Sequence, residues 1–198
     1  MSATETLSNQ DRTTLLEVAR ASIRHGLQHG RALDVKPADY PESLRPPRAT
    51  FVTLEIDGRL RGCIGTLLAH QPLVADVAAH AYAAAFEDPR FPELTLEEFG
   101  QLDVHISVLS LPEPLQFDSE EDLLAQLRPG MDGLILQFRS HRATFLPAVW
   151  ESLPNPYVFL VQLKQKAGLP LNFWSPELRA ERYTTEYFGG TDVADPSI

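Results

Sequence analysis

Phe51-Val52-Thr53-Leu54-Glu55-Ile56-Asp57-Gly58-Arg59-Leu60-Arg61-Gly62-Cys63-Ile64-Gly65 decides how the chain is read. Val52, Leu54 and Ile56 alternate with Phe51, Thr53 and Glu55, the two-residue period of a β-strand with one buried face. Asp57-Gly58 then forms a two-residue loop of type I′, because both residues tolerate positive φ. The return strand starts at Arg59. In that register Ile56 faces Arg59, Leu54 faces Arg61 and Val52 faces Cys63. Arg59, Arg61 and Cys63 share one face of the return strand, and Leu60 and Ile64 share the other.

Cys63 is the only cysteine of the 198 residues. It lies between Gly62 and Gly65, which weaken a strand and signal close approach by another backbone or by a ligand. Arg61 is two residues away, about 7 Å along a strand. At that separation its charge is worth ~2.4 kcal/mol at an effective dielectric of ~20 and ~0.6 kcal/mol in water. Only a half-buried pocket with little water would turn that into a large thiolate population. Two readings of Cys63 follow: a nucleophile beside an activating or anion-binding guanidinium, or a small buried apolar residue.

The totals describe a globular chain. Hydrophobic residues make up 43% and charged residues 22%, and no apolar run reaches the length of a membrane span. Met1 to Gln10 is polar and lacks the apolar centre of a secretory signal. With a single cysteine, this points to the cytoplasm. The net charge of −10 disfavours general binding to nucleic acid.

Outward from the hairpin, Ser8 with Asp11 starts a helix, Leu15, Val18, Ala19, Ile23 and Leu27 supply its apolar stripe, and Gly30 ends it. Residues 31–48, with four prolines, read as an extended connection. After the hairpin, Pro72 opens a helix whose Val74, Val77, Ala78, Ala81 and Ala85 permit close packing on a sheet. Asp88-Pro89-Arg90-Phe91-Pro92 stops it in a rigid loop, and Thr95 with Glu98 caps a short helix. Leu102 to Val108 alternates as a strand, which Pro112 and Pro114 stop. Ser119 caps a helix through Leu127. Leu134 to Phe138 and Ala143 to Leu146 are strands joined by a turn over Arg139 to Arg142. Asn155-Pro156 opens a helix ending at Gly168, with Trp174 as a packing anchor beyond it. Arg182 to Phe188 reads as a last strand. Hairpins separated by helices, without strict βαβ alternation, give an α+β fold with mainly antiparallel sheet flanked by helices. Residues 8–188 read as one domain, with flexible tails over 1–7 and 189–198.

No phosphate-binding glycine loop, dinucleotide fingerprint or nucleophile elbow is present, and one cysteine cannot hold an iron–sulfur cluster. No cofactor and no metal is expected. His25 and His29, four apart on the first helix, read as a solvated face without a third ligand. His80, His105 and His141 are the candidates for a histidine partner of Cys63, and the sequence does not choose among them.

Leu60-Arg61-Gly62-Cys63-Ile64-Gly65 resembles the signature of the AMMECR-domain family, also called AmmeMemoRadiSam system protein A. Ala84-Ala85-Phe86, Asp88-Pro89-Arg90-Phe91, Ser107-Val108-Leu109-Ser110, Gly133-Leu134, Ala143-Thr144-Phe145-Leu146-Pro147 and Lys166-Ala167-Gly168-Leu169, followed by Trp174, are similar to its later blocks and fall in its order. The resemblance implies an α+β fold of two lobes around a shared cleft, with the signature hairpin in or near it. It also implies two companions, a Memo-type protein and a radical S-adenosylmethionine protein. This chain looks like the stand-alone first component, any radical chemistry belonging to the partner. The resemblance carries no reaction.

Two readings of the function come from this. In the first, the chain is a component of that three-part system whose Cys63 acts on a small-molecule or macromolecular substrate. Arg61 binds an anion or activates the thiol, and Gly62, Ile64, Gly65 and Arg90 complete the binding site. In the second, it is a non-catalytic adaptor that uses the same hairpin as a protein interaction surface.

Overall fold

The computed structural model describes residues 6–190, and it is an α+β protein with two antiparallel four-stranded sheets. The chain divides into two compact units. One runs up to Leu109 and resumes at Glu186, and the other is Ser110–Thr185.

In the first unit, α1 (Asn9–His29) starts at a capping box. Ser8 accepts from the Asp11 amide, and Asp11 accepts from the Ser8 amide. It ends at Gly30, whose φ of 66° is the left-handed turn that glycine adopts without penalty. The proline-rich connection forms two short 3-10 turns, Pro37–Asp39 and Glu42–Leu44. Then come β1 (Thr50–Ile56), β2 (Arg59–Gly65), α2 (Leu73–Phe86), the one-turn α3 (Leu96–Phe99) and β3 (Asp103–Leu109). The sheet order is β2-β1-β3-β8, where β8 is Thr185–Gly189.

Val52, Leu54, Val104, Ile106 and Val108 point to one side of this sheet, where Leu15, Ile23, Val74, Val77, Ala78 and Ala81 of α1 and α2 complete a buried core. The alanine-rich face of α2 lets the helices come close. Ser22 of α1 donates to the Ala78 carbonyl at 2.7 Å in the buried contact between them.

The second unit holds β4 (Glu113–Pro114), α4 (Glu120–Gln126), β5 (Gly133–Phe138), β6 (His141–Phe145), α5 (Pro156–Lys166) and β7 (Arg179–Tyr183), with sheet order β4-β7-β5-β6. Its core joins Leu123, Leu134, Leu136, Phe159, Leu160 and Leu163. Trp174 packs against this core beside Phe117. The deeply buried indole, however, is Trp150, which stacks on Phe159 at 3.8 Å and donates to the Asp132 carbonyl.

Three expectations change. Arg182 to Phe188 is not one strand: β7 ends at Tyr183 and β8 starts at Thr185, each in a different sheet. The turn after β5 is only Arg139-Ser140, because Arg139 takes a φ of 52° and His141 already pairs with Phe138. Of the expected tails, residues 1–5 and 191–198 lie outside the described residues. Leu7 is buried in the first core with its amide on Glu186, and Gly189 belongs to β8.

Candidate functional site

The hairpin forms as its loop requires: Asp57 and Gly58 have φ of 52° and 69°. The register then slips. Ile56 faces Arg59 and Glu55 faces Leu60, but Leu54 faces Gly62, Thr53 faces Cys63 and Val52 faces Ile64. Arg61 is the inserted residue of a β-bulge. The expected pairings of Leu54 with Arg61 and Val52 with Cys63 are therefore each displaced by one. The cause is packing. A Cβ on Gly62 would lie 2.1 Å from the carbonyl oxygen of Ala84 in α2, so the strand touches the helix backbone there and only glycine fits. The bulge places Gly62 at this contact and puts Cys63 on the opposite side of the sheet from Val52, Leu54 and the helices.

Cys63 is held at three points. Its amide donates to Asp88 Oδ2 at 2.9 Å, its carbonyl accepts from Arg90 Nη2 at 3.2 Å, and its sulfur accepts from Thr53 Oγ1 at 3.2 Å. Asp88 is buried and Arg90 exposed. The two side chains bond through two pairs of atoms, Arg90 Nε to Oδ1 at 2.9 Å and Nη2 to Oδ2 at 2.7 Å. The guanidinium holds the Asp88 carboxyl well below the usual carboxylate range, against the opposing effect of burial, with the Cys63 amide adding to the same effect. The Asp88 bonds raise Arg90 in turn. Cys63 itself is half-buried. Asp88-Pro89-Arg90 thus acts as a clamp on the backbone of Cys63 and places a cation against its carbonyl.

Arg61 is occupied differently. It is buried, and it meets Glu98 through Nε–Oε1 at 2.7 Å and Nη2–Oε2 at 3.1 Å, with a further bond from Nη2 to the Pro92 carbonyl. Arg61 lowers the Glu98 carboxyl to about 2, burial opposing. Nη1 is buried without a partner. The guanidinium carbons of Arg61 and Arg90 stand 5.8 and 5.6 Å from the centre of the Phe91 ring.

The space beside both glycines is filled by protein. A Cβ on Gly65 would lie 2.3 Å from the Thr50 carbonyl and 2.4 Å from the Phe51 ring. Ile64 packs against the first core. Sequence reasoning missed Thr53 and Asp88, and it read Glu98 only as a helix cap. Glu98 does cap α3, accepting from the Thr95 amide, but it also neutralises a buried arginine 37 positions away.

None of the histidines bonds the thiol. His141 Nδ1 bonds the Ala167 carbonyl in the second unit. His80 lies on the helix side with Thr50 and Asp76. His105 faces Thr53 across β1 and β3, so Thr53 stands between it and Cys63; its ring stacks on Tyr187 at 5.3 Å. His25 and His29 have ring centres 4.3 Å apart. Among the described residues no three His, Cys, Asp or Glu side chains converge to hold a metal ion, and no helix is long and apolar enough to cross a membrane.

Fold and site define an α+β protein whose signature is a bulged cysteine hairpin clamped by the loop after α2. Residues 16–188 match the AMMECR1 family model, and the chain belongs to the AMMECR1 family. A protein of Methanothermobacter thermautotrophicus is 39% identical over 188 residues, covering 92% of this chain and 95% of its own. One from Methanocaldococcus jannaschii is 34% identical over 190 residues, covering 92% and 91%. The crystal structure of an uncharacterised protein from Pyrococcus horikoshii has the same fold, with a TM-score of 0.72 and 33% identity over 88% of this chain and 89% of that one.

Proposed function

We propose that Cys63 is the working group of the site, and that the chain serves as the first component of a three-part system with a Memo-type and a radical S-adenosylmethionine protein. The observation that supports this is the clamp. Amide and carbonyl of one half-buried residue are both fixed by charged side chains, one of them the exposed guanidinium of Arg90. A cysteine that only filled space would need neither. Arg90 suits a substrate that carries an anionic group near its electrophilic centre. On this reading Arg61 shapes the hairpin through Glu98. The chain itself needs no cofactor, and it works in the cytoplasm on a small-molecule or macromolecular substrate. Alkylation of the folded protein by iodoacetamide tests the proposal. Labelling that is fast and pH-dependent near neutrality supports it, and labelling only after unfolding overturns it.

A second reading rests on the hairpin tip. Leu60 is 44% exposed next to exposed Arg59, which suits a protein-binding surface of an adaptor. Leu60→Ser should then abolish co-purification with a radical S-adenosylmethionine partner without changing Cys63 labelling. Retained binding removes this reading.

A further inference from the structure

Asp76 and His80 stand one turn apart on α2. Asp76 is fully buried; it accepts side-chain hydrogen bonds from Thr50 Oγ1 at 2.6 Å and Gln71 Nε2 at 2.9 Å, and His80 Nδ1 lies 3.1 Å from its Oδ2. Burial alone would raise its carboxyl, but these bonds outweigh burial and hold it below its ordinary range. Asp76 is therefore a carboxylate, which can only accept.

The proton count fixes the imidazole. Thr50 has one hydroxyl proton, and it points along the 2.6 Å bond to Asp76. The same oxygen, 3.0 Å from His80 Nδ1, is then an acceptor toward the ring. Nδ1 thus faces two acceptors and must carry the proton. In the neutral ring Nε2 then holds a lone pair. Nε2 has no hydrogen-bond partner among the described residues, is not sealed from solvent, and the side chain is 13% exposed. Tying α2 to β1 needs only Thr50, Gln71 and Asp76. The imidazole adds to that tie a tautomer fixed by a buried carboxylate and a second nitrogen left open, the arrangement that orients a histidine as a base.

We propose that Asp76 and His80 form a second site, separate from Cys63, in which His80 Nε2 accepts a proton from a hydroxyl-bearing ligand or from water, and Asp76 positions the ring. The two sites are on opposite sides of the sheet. Thr50 lies on the face of Val52 and Leu54, whereas Thr53, which touches Cys63, lies on the other. Three residues of strand, about 10 Å, separate these two threonines.

The test uses full-length Cys63→Ser protein, so that no thiol competes and the outcome is independent of the role proposed for Cys63. Long-range proton–nitrogen correlation of the imidazoles at pH 8 should show His80 protonated at Nδ1, with the lone pair on Nε2. Diethyl pyrocarbonate should then modify Nε2 of His80 in the folded state. The Nε2 lone pair attacks a carbonyl carbon and ethyl carbonate leaves; the acylated ring gives up its Nδ1 proton, the leaving group takes up one proton and decomposes to ethanol and carbon dioxide, and Nε2 keeps the ethoxycarbonyl group. Asp76→Asn, which removes the charge but keeps the shape, should slow this several-fold while leaving exposed His70 unaffected. A proton on Nε2, or a His80 modified only after unfolding, overturns the proposal. Both of these readings come from protein with Asp76 intact, so they decide the matter even if Asp76→Asn does not fold.

Discussion

Arg61 grips the carboxylate of Glu98 with two hydrogen bonds, Nε to Oε1 at 2.7 Å and Nη2 to Oε2 at 3.1 Å. The pair joins the bulge of the hairpin to the one-turn helix α3, and it gives the site a pH dependence. Glu98 has its carboxyl lowered to about 2 by Arg61 from an ordinary 4.5. A lowered folded-state value stabilises the fold above the unfolded value, and that stabilisation is lost as pH falls from about 4.5 through about 2. Urea midpoints measured from pH 6 to pH 2 should fall in this window. Arg61→Gln should flatten that part of the fall, and an unchanged slope would show that the pair contributes nothing to acid stability.

Asp88 is the anchor of the clamp, so its removal should be felt in the fold as well as at the thiol. Asp88→Ala strips the acceptor from the Cys63 amide and from the Arg90 side chain and amide. A backbone donor left without a partner in a partly buried place costs about 1–3 kcal/mol. Asp88→Asn keeps one acceptor oxygen and should lose less. Denaturant titration of the two variants gives the order directly.

Arg90 should act on charged reagents more than on neutral ones. Its side chain is 53% exposed, so its charge acts on an incoming anion through water and is screened by salt. Arg90→Gln should slow iodoacetate labelling of Cys63 modestly at low salt, less so at high salt, and leave iodoacetamide nearly unchanged. Equal slowing of both reagents would point to a displaced hairpin rather than a lost charge.

Gly62→Ala should be the most damaging single methyl in the first unit's hairpin. The added carbon would sit 2.1 Å from the Ala84 carbonyl oxygen. Neither a strand in its ladder nor a helix carbonyl yields cheaply, so the loss should reach or exceed the ~1–3 kcal/mol typical of overpacking. Thermal melting compared with Gly58→Ala separates this crowding from loop strain, since nothing lies within 4 Å of a Cβ at Gly58.

Much of this was legible in the chain because it is local. Asp57-Gly58, the Ser8 and Thr95 capping boxes and the Asn155-Pro156 helix start each depend on residues a few positions apart. The bulge was not legible. Gly62 announced a close approach, but only the helix backbone at Ala84 defines where it comes from, and that contact shifts Arg61 out of the register that alternation implies. The same holds for Asp88 on Cys63, 25 positions apart. The break at Thr184 was invisible for another reason: the residues on both sides are good strand formers, and a change of sheet leaves no mark in composition.

Lys164 offers the sharpest test of the second unit. It is fully buried on α5 amid the second core, and its ammonium bonds Glu120 at the start of α4. No apolar pattern flagged it, because its neighbours Leu160 and Leu163 carry the helix face. A buried cation deprived of its partner costs about 3–5 kcal/mol, whereas replacing the pair by apolar residues of similar volume is often neutral or stabilising. Glu120→Gln should therefore destabilise strongly. Lys164→Met added to Glu120→Gln should recover most of the loss, because the uncompensated charge disappears while the stem volume stays. A double-mutant cycle by urea denaturation measures this. If Glu120→Gln is silent, the ammonium must reach water or another acceptor, and the pair is not what holds α4 to α5.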